Sequence, residues 1–427
     1  MVIHVVQQGE TAYDIAARYG VSAERLVLDN DIQDPDSLAE GRALVILVPR
    51  ETHVVREGDT LSSIARAYGI TVRQLFRNNP YLSGSDYIYP GEEIVISFEN
   101  EKTGNILTYG YAYPYISEDV LIKTLPYLTY ITLYSYFFTD EGELNDIDDM
   151  EVLSKAKDYQ VLPIMMISPQ DIGRDSESIF LQRVLINEEI QNQLIYNIIN
   201  VLRAKGYYGI NFNVSYIRPQ NRNDYVRFMT RLSNMVKEAG FNIVFNTLSL
   251  NTFEIMTGII YEGIDYSRLV QYIDGLFLMT YEWGNYIGIP TGIISFDKIK
   301  DYVRDMAQNF PPEKMFLGIP ILGYMWELPF ILGVSRGLAI SSSSAVDLAK
   351  SMNAVIYYDD ISKTAYFQFI TDREYIVRFR DARSIIEYLN LVNEFGMNGI
   401  SVWNIMQFNP QLWMIVNAFY DIDVIDA

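Results

Sequence analysis

Polar and apolar residues alternate along Gly209-Ile-Asn-Phe-Asn-Val-Ser-Tyr216. A period of two sets Ile210, Phe212 and Val214 on one face of a strand and Asn211, Asn213 and Ser215 on the other. Such a strand is buried on both sides, and its three small polar side chains need partners; a satisfied polar layer is one reading of them. Seven further apolar, β-rich runs accompany it, at Ile106–Tyr113, Tyr127–Phe138, Gln160–Ile167, Asn242–Thr247, Gly275–Trp283, Met315–Leu322 and Gly399–Ile405. Helical periodicity fills the intervals: in Asp224–Ala239, Tyr225, Phe228, Leu232, Met235 and Val236 form one stripe, and Asp381–Phe395 repeats the pattern. Eight strands alternating with helices predict an α/β chain with a (β/α)8 barrel of the TIM type over residues 104–427, its chemistry gathered at the C-terminal strand ends. A long connection joins the last two runs. It holds the serines Ser341–Ser344, read as a loop and helix cap, a helix near Ala345–Met352, and a hairpin from Ala354–Tyr358 to Ala365–Ile370.

The first hundred residues follow another pattern, and it occurs twice. His4-Val-Val-Gln-Gln-Gly-Glu-Thr11 aligns with His53-Val-Val-Arg-Glu-Gly-Asp-Thr60, and Ile15–Val21 aligns with Ile64–Ile70, at a constant offset of 49. Each copy predicts strand, helix, helix, strand, with the first helix closing at Gly20 or Gly69. Two small α+β domains follow, over residues 1–50 and 51–98. The segment Gly58-Asp-Thr-Leu-Ser-Ser-Ile-Ala65 carries a resemblance to LysM modules. That resemblance implies binding of N-acetylglucosamine-containing glycans such as peptidoglycan, in a groove between the first strand–helix loop and the second helix–strand loop. On this chain the groove falls to Gly58, Asp59 and Thr60 on one side and Pro80, Tyr81 and Leu82 on the other. The first copy departs from the motif at Ala12 and at Asp31-Ile-Gln-Asp34, so the expectation rests chiefly on the second.

Composition then removes several classes of function. A net charge of -21 opposes a basic patch for nucleic acid or an anionic bilayer, so binding to a cell-wall polymer has to rest on stacking and hydrogen bonds. The absence of cysteine excludes thiolate chemistry, the presence of only His4 and His53 argues against a histidine triad or a histidine-rich metal site, and no metal or organic cofactor is suggested. No run of eighteen apolar residues predicts a membrane span, and Met1–Gln8 lacks the basic and apolar regions of a secretory signal. Nothing in the sequence names a protein partner. Of the four tryptophans, Trp283, Trp326 and Trp403 fall at or just past the ends of the sixth, seventh and eighth runs, while Trp413 is read as core. Three large rings at one barrel mouth would make a stacking platform for pyranose rings.

The barrel strands resemble those of glycoside hydrolase family 18. That family's fourth strand carries Asp-x-x-Asp-x-Asp-x-Glu, and the matching positions here are Tyr208, Asn211, Asn213 and Ser215. Leu278–Gly284 resembles its sixth-strand motif, with Tyr281 at the tyrosine that contacts the substrate acetamide. Gly318–Pro329 resembles the seventh, and Gly399–Asn404 the eighth, with Trp403 at the floor of the central subsite. By the same resemblance Tyr111, Glu282, Trp283, Tyr324 and Trp326 join the substrate-binding set. Two LysM modules ahead of such a barrel are the architecture of spore cortex-lytic N-acetylglucosaminidases, and Phe367–Ser384 resembles that branch, departing at Arg378 and Arg380; Met325 stands where the branch carries Asp. The resemblance implies residence in the spore cortex or coat. The family's mechanism lets the substrate acetamide act as nucleophile, with a Glu protonating the leaving oxygen and an Asp orienting the acetamide. Here Ser215 replaces that Glu and Asn213 that Asp. Losing the general acid alone costs about 10²–10⁴ in rate; with the counter-charge also gone, the barrier rises by at least about 5 kcal/mol. The expected protein binds glycan and is inactive or severely impaired as a hydrolase. Two other readings stay open: an active glycosidase with its acid moved to Glu282, and a structural protein of the spore coat or cortex.

Overall fold

The structure, a computed structural model, describes residues 1–85, 87–170, 178–214, 217, 219–241, 243–249, 265–280, 296–331 and 334–425. The repeat folds as two similar units. The first is β1 (Val2–Val5), α1 (Ala12–Tyr19), α2 (Ala23–Asp29) and β2 (Ala43–Ile46); the second is β3 (Pro49–Val54), α3 (Leu61–Tyr68), α4 (Val72–Asn78) and β4 (Glu93–Phe98). In each, the two strands pair antiparallel. The same local chemistry shapes both. Thr11 and Thr60 cap α1 and α3 in capping boxes completed by Asp14 and Ser63. Gly20 and Gly69 end the same helices at φ of 68° and 67°, a left-handed conformation that glycine adopts without steric cost.

Next come β5 (Gly104–Ala112), β6 (Tyr130–Phe138), β7 (Leu162–Pro169), β8 (Gly209–Val214), β9 (Ile243–Ser249), β10 (Gly275–Met279) and β11 (Met315–Pro320). An insertion then supplies β12 (Leu322–Leu328), β13 (Leu338–Ser341), β14 (Tyr357–Asp359), β15 (Thr364–Ile370) and β16 (Glu374–Phe379), before β17 (Gly399–Trp403) and a short β18 (Tyr420–Ile422). Strands β5 to β11 pair in order, all parallel, and β17 pairs with both β11 and β5, which closes an eight-stranded parallel barrel. Tyr109, Tyr111, Tyr130, Ile164, Met166, Phe245, Phe277 and Phe316 fill its interior. Ile210, Phe212 and Val214 of β8 face outward into the layer of surrounding helices, as the alternation required.

The seventh run is corrected. β11 stops at Pro320, and the apolar pattern continues into β12, which leaves the barrel and pairs antiparallel with β13 and β16. The expected hairpin is part of this five-stranded insertion sheet, ordered β13-β12-β16-β15-β14. The serines do cap a helix: Ser341 Oγ accepts from the Ser344 amide at the start of Ser342–Ser351.

Both small units are docked on the barrel. Ala43, Val45 and Leu47 belong to the barrel's helical layer of apolar side chains. Arg73 of α4 donates from Nε to the Pro126 carbonyl (2.9 Å) and from Nη1 to that of Gln160 (3.3 Å), and Arg77 donates to Pro126 as well (2.6 Å).

Candidate functional site

The inward side chains of β8 divide into two levels. At the lower one, Asn211 Nδ2 donates to the hydroxyls of Tyr109 (3.2 Å) and Tyr111 (3.3 Å), and Thr247 Oγ1 donates to Asn211 Oδ1 (2.7 Å). All four residues are fully buried. This is the satisfied polar layer, and burial raises the Tyr109 and Tyr111 hydroxyls well above the usual phenol range, so they stay protonated. Tyr111, assigned to the substrate, therefore lies beneath the site and supports it.

One step nearer the C-terminal end, Asn213 Nδ2 donates to Ser168 Oγ (3.1 Å), which also accepts from Ser135 Oγ (3.1 Å). Asn213 Oδ1 is buried and has no donor among the described residues. Across the barrel at this level stands Trp403, half-buried, with its ring packed by Tyr111 (5.3 Å between centroids), Tyr134 (5.2 Å) and Tyr113 (6.1 Å). Tyr113 in turn stacks on Tyr115 (5.3 Å, 20° between planes), which is 75% exposed. Trp403, Tyr113 and Tyr115 thus form an aromatic path from the barrel floor to solvent. Sequence reading missed Tyr113, Tyr115, Tyr134, Ser135 and Ser168. The signal for the first two was present in Tyr109-Gly-Tyr-Ala-Tyr-Pro-Tyr115, where tyrosine recurs at the strand period.

Every buried polar side chain described on the eight barrel strands is neutral: Thr108, Thr132, Ser135, Ser168, Asn211, Asn213, Asn246, Thr247 and Ser401. Ser215, Tyr281, Glu282 and Trp283 lie outside the described residues. Trp326 is corrected. It sits on β12 rather than at the end of a barrel strand, is fully buried, and packs with Tyr324 (5.7 Å) inside the insertion. Its ring has no open face for a sugar. Tyr324, its half-buried neighbour on β12, is likewise a residue of the insertion sheet.

The second repeat presents a smaller surface. Gly58, at φ of 88°, has open space where a Cβ would stand. Asp59 accepts from His53 Nε2 (2.8 Å) and from the Arg56 amide (2.8 Å), and the His53 hydrogen bond is the main cause that holds its carboxyl below the usual range. Thr60 is spent on capping α3, accepting from the Ser63 amide (3.0 Å). Pro80 opens a single 3-10 turn, Pro80–Leu82. Leu82, expected to line the groove, is core of the module instead. Tyr81 is 40% exposed and joins Tyr87 and Tyr89, at 74% and 66%, as open aromatic surface.

These features place the chain in a known class. It belongs to glycoside hydrolase family 18: the family described as glycosyl hydrolases family 18 matches residues 105–407, and the LysM domain matches residues 4–47 and 53–97. The chain is 31% identical over 434 residues to the cortical fragment-lytic enzyme of Bacillus subtilis (strain 168), covering 99% of each. It is 29% identical over 420 residues to the enzyme of the same name from Bacillus anthracis, covering 97% of each. The crystal structure of the Bacillus cereus spore cortex-lytic enzyme SleL superimposes with a TM-score of 0.80 at 27% identity, over 99% of this chain and 98% of that one.

Proposed function

We propose that this protein binds N-acetylglucosamine-containing glycan of the spore cortex, and that its barrel is inactive or severely impaired as a hydrolase. Its working units are residues 1–50, 51–98 and 104–427, the first two engaging the glycan chain and the third holding it at Trp403. The observation that carries the reading is the fourth strand. Asn213 and Ser215 stand where the family places an acid pair, and the described barrel strands bury no charged side chain that would replace them. A hydroxyl at Ser215 is no acid near neutral pH and is too short to reach where a Glu carboxyl would act. The aromatic path and the unpaired Asn213 Oδ1 favour retained binding, because an acetamide N–H is a donor suited to that oxygen. Spore residence is supported by the relatives, which are cortical fragment-lytic enzymes and a spore cortex-lytic enzyme. Among the described residues no helix is long and apolar enough to cross a membrane.

The test is mass spectrometry of cortex glycan fragments after long incubation with stoichiometric protein, beside the double variant Asn213→Asp, Ser215→Glu. Intact fragments with the unmodified chain and cleaved ones with the variant are expected. Cleavage by the unmodified chain overturns the proposal and makes Glu282 the acid to examine by Glu282→Gln.

A further inference from the structure

Beside the barrel mouth lies a cavity of about 180 Å³ where the first repeat, the insertion and the segment after β17 meet. That volume equals the liquid share of about six waters. Asn404, the residue after Trp403, is in its wall. Three helices begin on it. Ser342–Ser351 starts from the cap Ser341, Ala382–Phe395 from Asp381 and Pro410–Phe419 from Asn409, and all three caps line the cavity. The starts capped by neutral Ser341 and Asn409 present the positive ends of their dipoles, while the Asp381 carboxylate answers the third.

Arg42 of the first repeat shares this wall and is only 8% exposed. Its Nη2 donates to the carbonyls of Asn30 and Asp31, and among the described residues Nε and Nη1 have no acceptor and no carboxylate pairs with the guanidinium. That edge is not sealed from solvent, so a ligand in the cavity can reach it. The acids nearby leave it open. Asp381 is already held by Arg383 Nη2 (2.6 Å) and Nε (2.9 Å) and by the Arg383 and Ser384 amides, while Asp31 and Asp347 are exposed to solvent, where their charge is screened.

We infer that this cavity binds an oxyanion, either a carboxylate carried on the glycan or free phosphate, held by the Arg42 edge and the dipoles of the two helices whose caps, Ser341 and Asn409, are neutral. Planar guanidinium recognition of carboxylate or phosphate is the matching chemistry. Only the choice of a glycan carboxylate as source rests on the proposed function; the anion chemistry does not.

Calorimetric titration of the full chain at low ionic strength tests it, with inorganic phosphate, N-acetylmuramic acid and neutral N-acetylglucosamine as probes. The variants are Arg42→Gln, which removes the guanidinium, and Ser343→Glu, which puts a carboxylate at the cavity on an exposed, helix-compatible position. Saturable binding of at least one anion is expected, weakened about tenfold or more in both variants, with circular dichroism unchanged in Ser343→Glu. Binding of N-acetylmuramic acid assigns the site to the glycan; binding of phosphate alone assigns it to the free ion. No saturable anion binding, or binding that Ser343→Glu leaves intact, overturns the inference. N-acetylglucosamine oligomers read the Trp403 mouth separately, so failure there leaves the cavity's result standing.

Discussion

Tyr115 separates binding from folding more cleanly than any other residue of the candidate site. It is 75% exposed and, among the described residues of the site, stacks on Tyr113 alone, so Tyr115→Ala should change stability by less than about 0.5 kcal/mol. Loss of a stacked ring is worth about 0.5–1.5 kcal/mol, so affinity for long N-acetylglucosamine oligomers should fall about 2- to 13-fold while a disaccharide confined to Trp403 is unaffected. Titration of both ligands checks this; equal loss for both would mean the path does not run outward. Trp403 is the opposite case, because three tyrosines pack on it and its removal would loosen the floor. At this scale much of the site was legible in the sequence. Asn211 and Asn213 face inward as their alternation demands. Their different fates were not legible, because Asn211 is completed by Tyr109, Tyr111 and Thr247 on other strands and Asn213 Oδ1 by none described.

Among the elements, the repeat gives the closest correspondence between sequence and structure. At the shared offset, His4 and His53 place Nδ1 against the hydroxyls of Tyr19 (3.2 Å) and Tyr68 (3.1 Å), and Nε2 against Glu10 and Asp59 (2.8 Å each). Asn30 and Asn79 both bridge to the returning strand, accepting from the amides of Val45 (2.7 Å) and Val95 (2.9 Å). The histidines are thus scaffold, which explains why both occupy one repeat position. Glu10 accepts from the Gln7 amide, its main stabiliser, and from His4 and Arg18; together these pull its carboxyl down to about 2. A carboxyl depressed on folding stabilises fully above its unfolded value near 4.5, and that stability is lost as pH falls towards about 2. Thermal midpoints should therefore drop between pH 5 and pH 2.5 by more in the unmodified chain than in Glu10→Gln, followed by circular dichroism; equal drops would remove Glu10 from the account.

For the whole molecule, the decisive contacts join units distant in sequence. Arg73 and Arg77 lie side by side against carbonyls of the segment before β6, with no carboxylate pairing either among the described residues. Burial, first, lowers Arg73 to about 9 and Arg77 to about 10, and for Arg73 the neighbouring Arg77 charge adds to it. Arg73→Ala leaves the Pro126 and Gln160 carbonyls without that donor and should destabilise the full chain by about 3 kcal/mol, read from denaturant unfolding. A loss under about 0.5 kcal/mol would mean that the second repeat is held by apolar packing instead. On the other side, Gly41 at φ of 82° packs so closely that a Cβ would stand 1.9 Å from the Ile356 carbonyl oxygen. The two small units are seated parts of the molecule.

Local pattern alone determined the duplicated α+β unit, its caps, the eight-strand alternation and the inward face of β8, because each depends on side-chain period or on a turn a few residues long. Its neutral fourth strand was also written there, residue by residue. Tertiary structure decided the rest. The apolar pattern of Met315–Trp326 runs unbroken through the change from barrel to insertion, and only pairing with β13 and β16 carries Trp326 away from the mouth and buries it. The joining of Trp403 to Tyr113 and Tyr115 arises only when β17 closes on β5. The cavity at Arg42 needs three units of the chain at once, since neither a lone guanidinium nor a lone helix start announces in sequence what it will face.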